Sequence, residues 1–271
     1  MRSRIIMLIC FYLFSGKLFS QSKLGDMACV YVTTPNLDSS LAYYEKLGFS
    51  KTGANTFPVP WAQCSDGSLV IMMRQDSKPY IGLTYYCNDI DKTVDQLQKD
   101  GIVFDQQPKP GDAVKRYFIK TPDGFNIMLV PNIGNFEQPK GMTMIDMKPA
   151  DFNSADKYPN KQCGVFGEFC HPVADLATSV AFWHKLGFMT KGKMMQPYPY
   201  AIVSDGKMII GLHQTKDFDY PAITYFGIDV QGRVKQLQEK GLQHINSMTG
   251  KGNVVLKTWE GQHFFLFSMG M

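Results

Sequence analysis

This 271-residue sequence lacks several of the short signatures that announce a chemistry. It has no glycine-rich phosphate loop, no Gly-x-Ser-x-Gly nucleophile elbow and no Cys-x-x-Cys pair, so nothing points to phosphoryl transfer, an activated serine or a zinc knuckle. Excess charge is missing too. Of 28 basic residues, three (Arg2, Arg4 and Lys17) lie in the first twenty, which leaves 25 against 24 acidic ones. A near-neutral body gives no electrostatic case for nucleic acid or an anionic membrane surface. Histidine is scarce, with only five, and none precedes His171. The apolar run over 5–14 holds ten residues, too short to span a bilayer.

That short run comes after Arg2 and Arg4, and residues 1–20 read as a secretory signal with processing near Ser20 and Gln21. Export, to a periplasm or beyond, is therefore expected. Leu18 is bulky for a cleavage site, which leaves a retained N-terminal anchor as the alternative. Cys10 comes after the bulky Ile9 and lies too early for lipid attachment. Beyond the signal stand Cys29, Cys64, Cys87, Cys163 and Cys170, an odd number that indicates no disulfide framework. Those inside predicted strands act as small buried hydrophobes.

The distinctive feature of the sequence is a repeat. Ser40-Leu-Ala-Tyr-Tyr-Glu-Lys-Leu-Gly-Phe49 returns as Ser179-Val-Ala-Phe-Trp-His-Lys-Leu-Gly-Phe188, 139 positions later. Each copy predicts a short amphipathic helix stopped by a glycine. Pro58-Val-Pro-Trp-Ala62 returns as Pro197-Tyr-Pro-Tyr-Ala201, and Ser65-Asp-Gly67 as Ser204-Asp-Gly206, at the same offset of 139. Thr84-Tyr85 returns as Thr224-Tyr225 at 140, and Asp123-Gly124 as Glu260-Gly261 at 137. An offset this steady means a duplicated module.

Within module one, a strand is expected over 27–33, then a helix through Lys46 capped by Asn36 or Asp38. An Asp66-Gly67 turn joins strands 62–65 and 69–73, and another strand covers 80–87. A second helix, 94–99, takes Asp91 as its cap. Strands over 103–104, 114–119 and 126–130 complete the unit, so each half reads β-α-β-β-β. Residues 132–162 have no period and form a linker, whose stretch 142–156 has a position suited to a lid.

Asn36-Leu-Asp-Ser-Ser-Leu-Ala-Tyr-Tyr-Glu-Lys-Leu-Gly-Phe49, its partner Asp175-Leu-Ala-Thr-Ser-Val-Ala-Phe-Trp-His-Lys-Leu-Gly-Phe188, and Thr121-Pro-Asp-Gly124 resemble the vicinal oxygen chelate superfamily. That group includes glyoxalase I, bleomycin-resistance proteins and extradiol dioxygenases. The resemblance implies an α+β fold of two tandem modules, 24–131 and 163–271. Each module would be a pair of βαβββ units forming a curled mixed sheet around a concave cavity, with helices outside. By the family's habit the two modules would pair within one chain. Its metal-dependent members carry ligands on the first strand, the strand before the second helix and the last strand. Those positions fall on Cys29, Gly82 and Met128 in module one, and on Glu168, Ala222 and Phe265 in module two. Only Glu168 suits a hard cation, so no cofactor is expected, and a divalent metal only around a non-standard site of Glu168 and His213.

The remaining candidates concern a ligand. His213 and its counterpart Arg74 end equivalent strands, where a polar tip can meet a carboxylate or face water. Trp61 and Tyr200 come directly after the Pro-x-Pro repeats, and Tyr85 and Tyr225 occupy equivalent strand positions. With Met72, Met73, Met128, Met194 and Met195 they could wall an apolar pocket or simply pack the core. His184, His244 and His263 read as surface or turn residues, and His171 as facing away from Glu168. Three readings are open at this level. They are a metal-free protein that binds a small aromatic or amphipathic molecule, a metal-dependent lyase, isomerase or dioxygenase with Glu168 as ligand or base, and a scaffold with a filled cavity.

Overall fold

A computed structural model describes residues 22–242, 245–247 and 253–269. The signal segment, Cys10 and His244 lie outside the described residues. Module one runs β1 (Met27–Thr34), α1 (Leu37–Lys46), β2 (Ser50–Asn55), β3 (Trp61–Ser65), β4 (Val70–Gln75), β5 (Ile81–Cys87), α2 (Ile90–Lys99), β6 (Tyr117–Lys120) and β7 (Asn126–Pro131). Module two runs β8 (Val165–Pro172), α3 (Leu176–Lys185), β9 (Met189–Met194), β10 (Tyr200–Ser204), β11 (Ile209–His213), β12 (Ala222–Gly227), α4 (Val230–Glu239), β13 (Ile245–Ser247), β14 (Val254–Lys257) and β15 (His263–Ser268).

The helices form where the repeat predicts them. Asn36 and Asp175 cap α1 and α3 by accepting from the amides of Ser39 and Thr178, at 2.9 and 2.7 Å. Both helices stop at a glycine, Gly48 and Gly187, whose φ of 92° is left-handed. The cap of α2 is Asp89 rather than Asp91, so the helix starts nearly a turn earlier than its apolar pattern suggests.

The two sheets are mixed and open. Their strand orders are β2-β3-β4-β1-β5-β7-β6 and β13-β14-β15-β12-β8-β11-β10-β9. In each, the first strand of one half lies antiparallel to the first strand of the other, β1 to β5 and β8 to β12. The last strand of each half returns parallel to its own first strand. The expected strand at 103–104 does not form. Pro108 and Pro110 cannot donate to a ladder, and only an isolated bridge joins Gln106 to Phe118. Module one therefore has seven strands against eight in module two. The linker is tied down at several points, with Gln138 accepting from the Ala28 amide at 2.8 Å and Tyr158 fully buried beneath Arg233.

Helices occupy one face of each sheet, and those faces meet. Tyr44 and Phe49 of module one pack on Phe264 and Tyr225 of module two, while Phe125 packs on Phe169 and His171, all with ring centres 5.2–6.4 Å apart. The helices are thus outside their own sheets, and they line a core that both modules share. Hydrogen bonds cross it in reciprocal pairs. Tyr85 donates to Asp205 at 2.7 Å, and Tyr225 donates to Asp66. Ser40 donates to Glu260 at 3.0 Å and Ser179 to Asp123 at 2.5 Å. The repeated motifs are the two halves of this junction.

Tyr85 and Asp205 are buried, so removing the hydroxyl leaves a carboxylate oxygen without its donor. Tyr85→Phe is expected to cost about 2 kcal/mol, read from urea unfolding of the full chain. An unchanged midpoint would show that the junction does not depend on this bond.

Candidate functional site

The helix-free face of module two is set by register. Glu168 on β8 stands opposite Thr224 on β12, and Cys170 stands beside Gly211 on β11. Residues that pair directly share a face, and alternation adds His213, Tyr200, Ala222 and Phe265. The pairing slips by one residue at Gly167, between the Phe166–Tyr225 and Glu168–Thr224 pairs. This irregularity precedes Glu168, so alternation from there on sends His171 to the other face.

On this face Glu168 and His213 make a closed pair. His213 Nε2 lies 2.9 Å from Glu168 Oε1, and its Nδ1 lies 3.2 Å from the Tyr198 hydroxyl. Tyr200 stacks on the imidazole at 5.4 Å and 6°, and Phe218 meets it edge-on at 5.7 Å. With its proton on Nε2, His213 donates to Glu168 and accepts from Tyr198. With the proton on Nδ1, it donates to the Tyr198 oxygen and turns a lone pair toward Glu168 and Cys170. Glu168, Cys170 and His213 are only 5%, 1% and 9% exposed. One atom from each lies within 4.8 Å of the others, an O/N/S donor set. Burial, and then the neighbouring Glu168 carboxylate, push the Cys170 thiol well above its ordinary pKa. Glu168 Oε2 is shielded from solvent and has no hydrogen-bond partner.

Gly211 makes room for the carboxylate. A Cβ there would lie 2.2 Å from Glu168 Oε2 and 2.8 Å from His213 Nε2. Module one solves the same position the opposite way. The repeat offset places Cys29 where module two has Glu168, and Met72 where it has Gly211. A long side chain over a short one has become a short one under a long one.

The expected residues divide accordingly. Glu168, His213 and Tyr200 come together. Trp61 and Arg74 come together on the equivalent face of module one, where they pair across β3 and β4. Tyr85 and Tyr225, expected at a pocket wall, stand on the opposite face in the shared core, because Thr84 and Thr224 take the helix-free positions. Met72 and Met128 face the helix-free side of module one, Met73 packs in the shared core and Met195 is exposed. His184 bonds Thr190 on an exposed helix face and His263 stacks on Tyr220. His171 is buried against Phe125 and Trp183, and burial lowers its pKa to about 4. Cys170, Gly211, Tyr198 and Phe218 were not foreseen. The exchange of Met72 for Gly211 between the copies is the signal that could have found them. Surface depressions of about 630 and 390 Å³ lie beside α1 and between the modules, and neither includes Glu168, Cys170 or His213.

The usual metal positions do not hold a ligand set. Level with Cys29 are Thr84 and Met128, and level with Glu168 are Thr224 and Phe265. Gly82 and Ala222 lie two residues further along, opposite Tyr31 and Cys170. The Glu168, Cys170 and His213 set is a different arrangement on the same face.

The sequence profile of the Glyoxalase/Bleomycin resistance protein/Dioxygenase superfamily matches residues 26–129. Over this range, module one is similar to that superfamily. No curated protein matches its sequence. Among solved structures, the 2,3-dioxygenase LapB from Pseudomonas sp. KL28 superposes with a TM-score of 0.58 at 14% identity, over 93% of this chain and 94% of that one. Homoprotocatechuate 2,3-dioxygenase from Arthrobacter globiformis gives 0.58 at 11% identity, over 92% and 81%. An extradiol ring-cleaving dioxygenase from B. fuscum gives 0.58 at 11%, over 94% and 74%. At such identities the likeness is one of fold, and it extends over both modules.

The Glu168–Gly211 exchange predicts strong coupling. Gly211→Met alone should cost ~3 kcal/mol or more by overpacking. Glu168→Cys with Gly211→Met, which installs module one's solution, should recover at least ~1 kcal/mol of that in a double-mutant cycle read by thermal unfolding. Simple additivity would mean the two side chains do not compete for one space.

Proposed function

We propose that this protein is a metal-binding member of the superfamily, and that module two takes up one divalent transition-metal ion on Glu168, His213 and the Cys170 sulfur. The partnerless Oε2 of Glu168 carries this reading. It is a carboxylate oxygen held out of water beside an imidazole nitrogen and a thiol, in a space that a Cβ on residue 211 would close. A buried charge of this kind is costly unless something compensates it. Mixed oxygen, nitrogen and sulfur donors suit zinc or iron(II) better than magnesium or calcium.

The chain's own residues have defined parts. Tyr198 holds the His213 ring through Nδ1 and settles which nitrogen faces the ion. Glu168 supplies the anionic oxygen, and its second oxygen can take a proton from a ligand. Tyr200 and Phe218 pack on the His213 ring and Phe265 packs on Phe218, which shields this face from water. A bound ion would supply Lewis-acid polarisation of a ligand's oxygens. The donor set and its surroundings support a reading as metal-assisted lyase, isomerase or dioxygenase chemistry on small oxygen-bearing compounds.

Full-length protein without its signal, incubated with Zn(II) or anaerobic Fe(II) and desalted, should retain about one ion per chain. Glu168→Gln and His213→Gln should each weaken retention about 100-fold, and the wild type alone should gain thermal stability with added metal. No retention, with no thermal shift, would sink the proposal and leave Glu168 and His213 as a buried structural pair.

We also propose export. The support is the arrangement of Arg2, Arg4 and the apolar run before Ser20, and the described cysteines are all buried and so shielded from chance oxidation. No helix among the described residues is long and apolar enough to cross a membrane. Intact-mass measurement after cell fractionation should find a chain starting within about three residues of Gln21 outside the cytoplasm. A cytoplasmic chain that retains residues 1–20 would end the export reading.

A further inference from the structure

The helix-free face of module one carries a cation and hydroxyls without the carboxylate that module two builds in. Arg74 occupies the His213 position, but Cys29 stands in place of Glu168. Arg74 Nε is shielded from solvent and has no hydrogen-bond partner. The nearest carboxylate oxygen, on Asp76, lies 3.8 Å from the guanidinium, beyond a good hydrogen bond. The hydroxyls of Tyr80 and Thr84 are likewise shielded and partnerless. Three partnerless groups that can donate call for an acceptor.

Around them the face is aromatic and only half closed. Tyr31, Trp61, Phe118 and Phe136 are half-buried over a floor of Cys29, Met72, Tyr86 and Met128. Phe136 meets Trp61 edge-on at 6.0 Å and Tyr86 at 5.1 Å. Tyr80 lies over Gly82, where a Cβ would sit 2.5 Å from its hydroxyl, and it meets Tyr31 at 5.9 Å. In module two Ala222 replaces Gly82, and Tyr220 stacks on His263 instead. Gly82 thus lets a hydroxyl fold into module one's face, next to the tyrosine that borders Arg74. Exposed Arg116 adds a second positive charge nearby, and its field reaches Tyr31 and Tyr86.

We propose that this face binds a small aromatic carboxylate, its carboxylate taken by Arg74 beside the Tyr31 and Tyr80 hydroxyls and its ring against Trp61 and Phe136. The ligand's carboxylate stands where module two has Glu168. A planar guanidinium matches a carboxylate's two oxygens, and such charge-assisted bonds exceed neutral ones in strength. The site needs no metal and is separate from the one in module two.

Benzoate and its neutral isostere benzamide test this, by calorimetry and by Trp61 fluorescence on the mature protein. Benzoate should bind one per chain with a Kd of about 1 mM or tighter, and benzamide at least about ten-fold more weakly. Arg74→Gln should weaken benzoate about ten-fold or more with unchanged far-UV circular dichroism, and Tyr80→Phe should weaken it by a smaller factor. If Arg74→Gln does not fold, Tyr80→Phe decides, and an undiminished benzoate affinity in it overturns the proposal. Equal binding of benzoate and benzamide, full affinity in a folded Arg74→Gln, or no saturable binding at about 10 mM benzoate would each overturn it as well.

Discussion

Two tyrosine-to-carboxylate hydrogen bonds, one buried and one partly buried, hold the architecture together. Tyr85 and Tyr225 each reach out of their own sheet to the aspartate of the partner module's Asp-Gly turn. A carboxylate that leaves water without donors is heavily penalised. Asp205 accepts from the amides of Lys207 and Met208 through Oδ1 and from Tyr85 through Oδ2, so one side chain serves both turn and junction. Apolar contacts between Phe49, Phe264, Phe125 and Phe169 supply the bulk attraction, but such contacts are non-directional. The polar pairs are what select one relative placement of the modules.

That placement has a functional consequence. Because the helix-bearing faces are committed to the shared core, the helix-free faces remain for other work, one in each module. The copies have since diverged in a compensating way. Module two has space above Gly211 and fills it with Glu168 held by His213. Module one has a cation at Arg74, Cys29 in place of the carboxylate, and Met72 in the space. Close packing ties these exchanges together, because a side chain at residue 211 would fill the space that Glu168 occupies.

The structural likeness to dioxygenases carries the fold and stops there. The positions that the resemblance assigns to metal ligands, Cys29, Gly82 and Met128 with Glu168, Ala222 and Phe265, hold no ligand set, while Glu168, Cys170 and His213 gather on the same face of module two. One scaffold can host different chemistries because neighbouring strands offer several positions on a single face, each within reach of the same point.

Sequence alone determined the duplication, the four helices with their glycine stops and the Asp-Gly turns, because these rest on local chemistry that needs no partner, while the α+β class came from the family resemblance. It also isolated Glu168 and His213, since ionisable residues stand out in apolar strands. Tertiary structure alone decided which way the tyrosines face and that Cys170 and Gly211 belong with Glu168. Strands β5, β8 and β11 are buried almost throughout on both sides, so their hydrophobic pattern does not alternate and carries no mark of inside and outside. Facing could be settled only by the partner strands, and by the reciprocal bonds that turn one side of each sheet toward the other module.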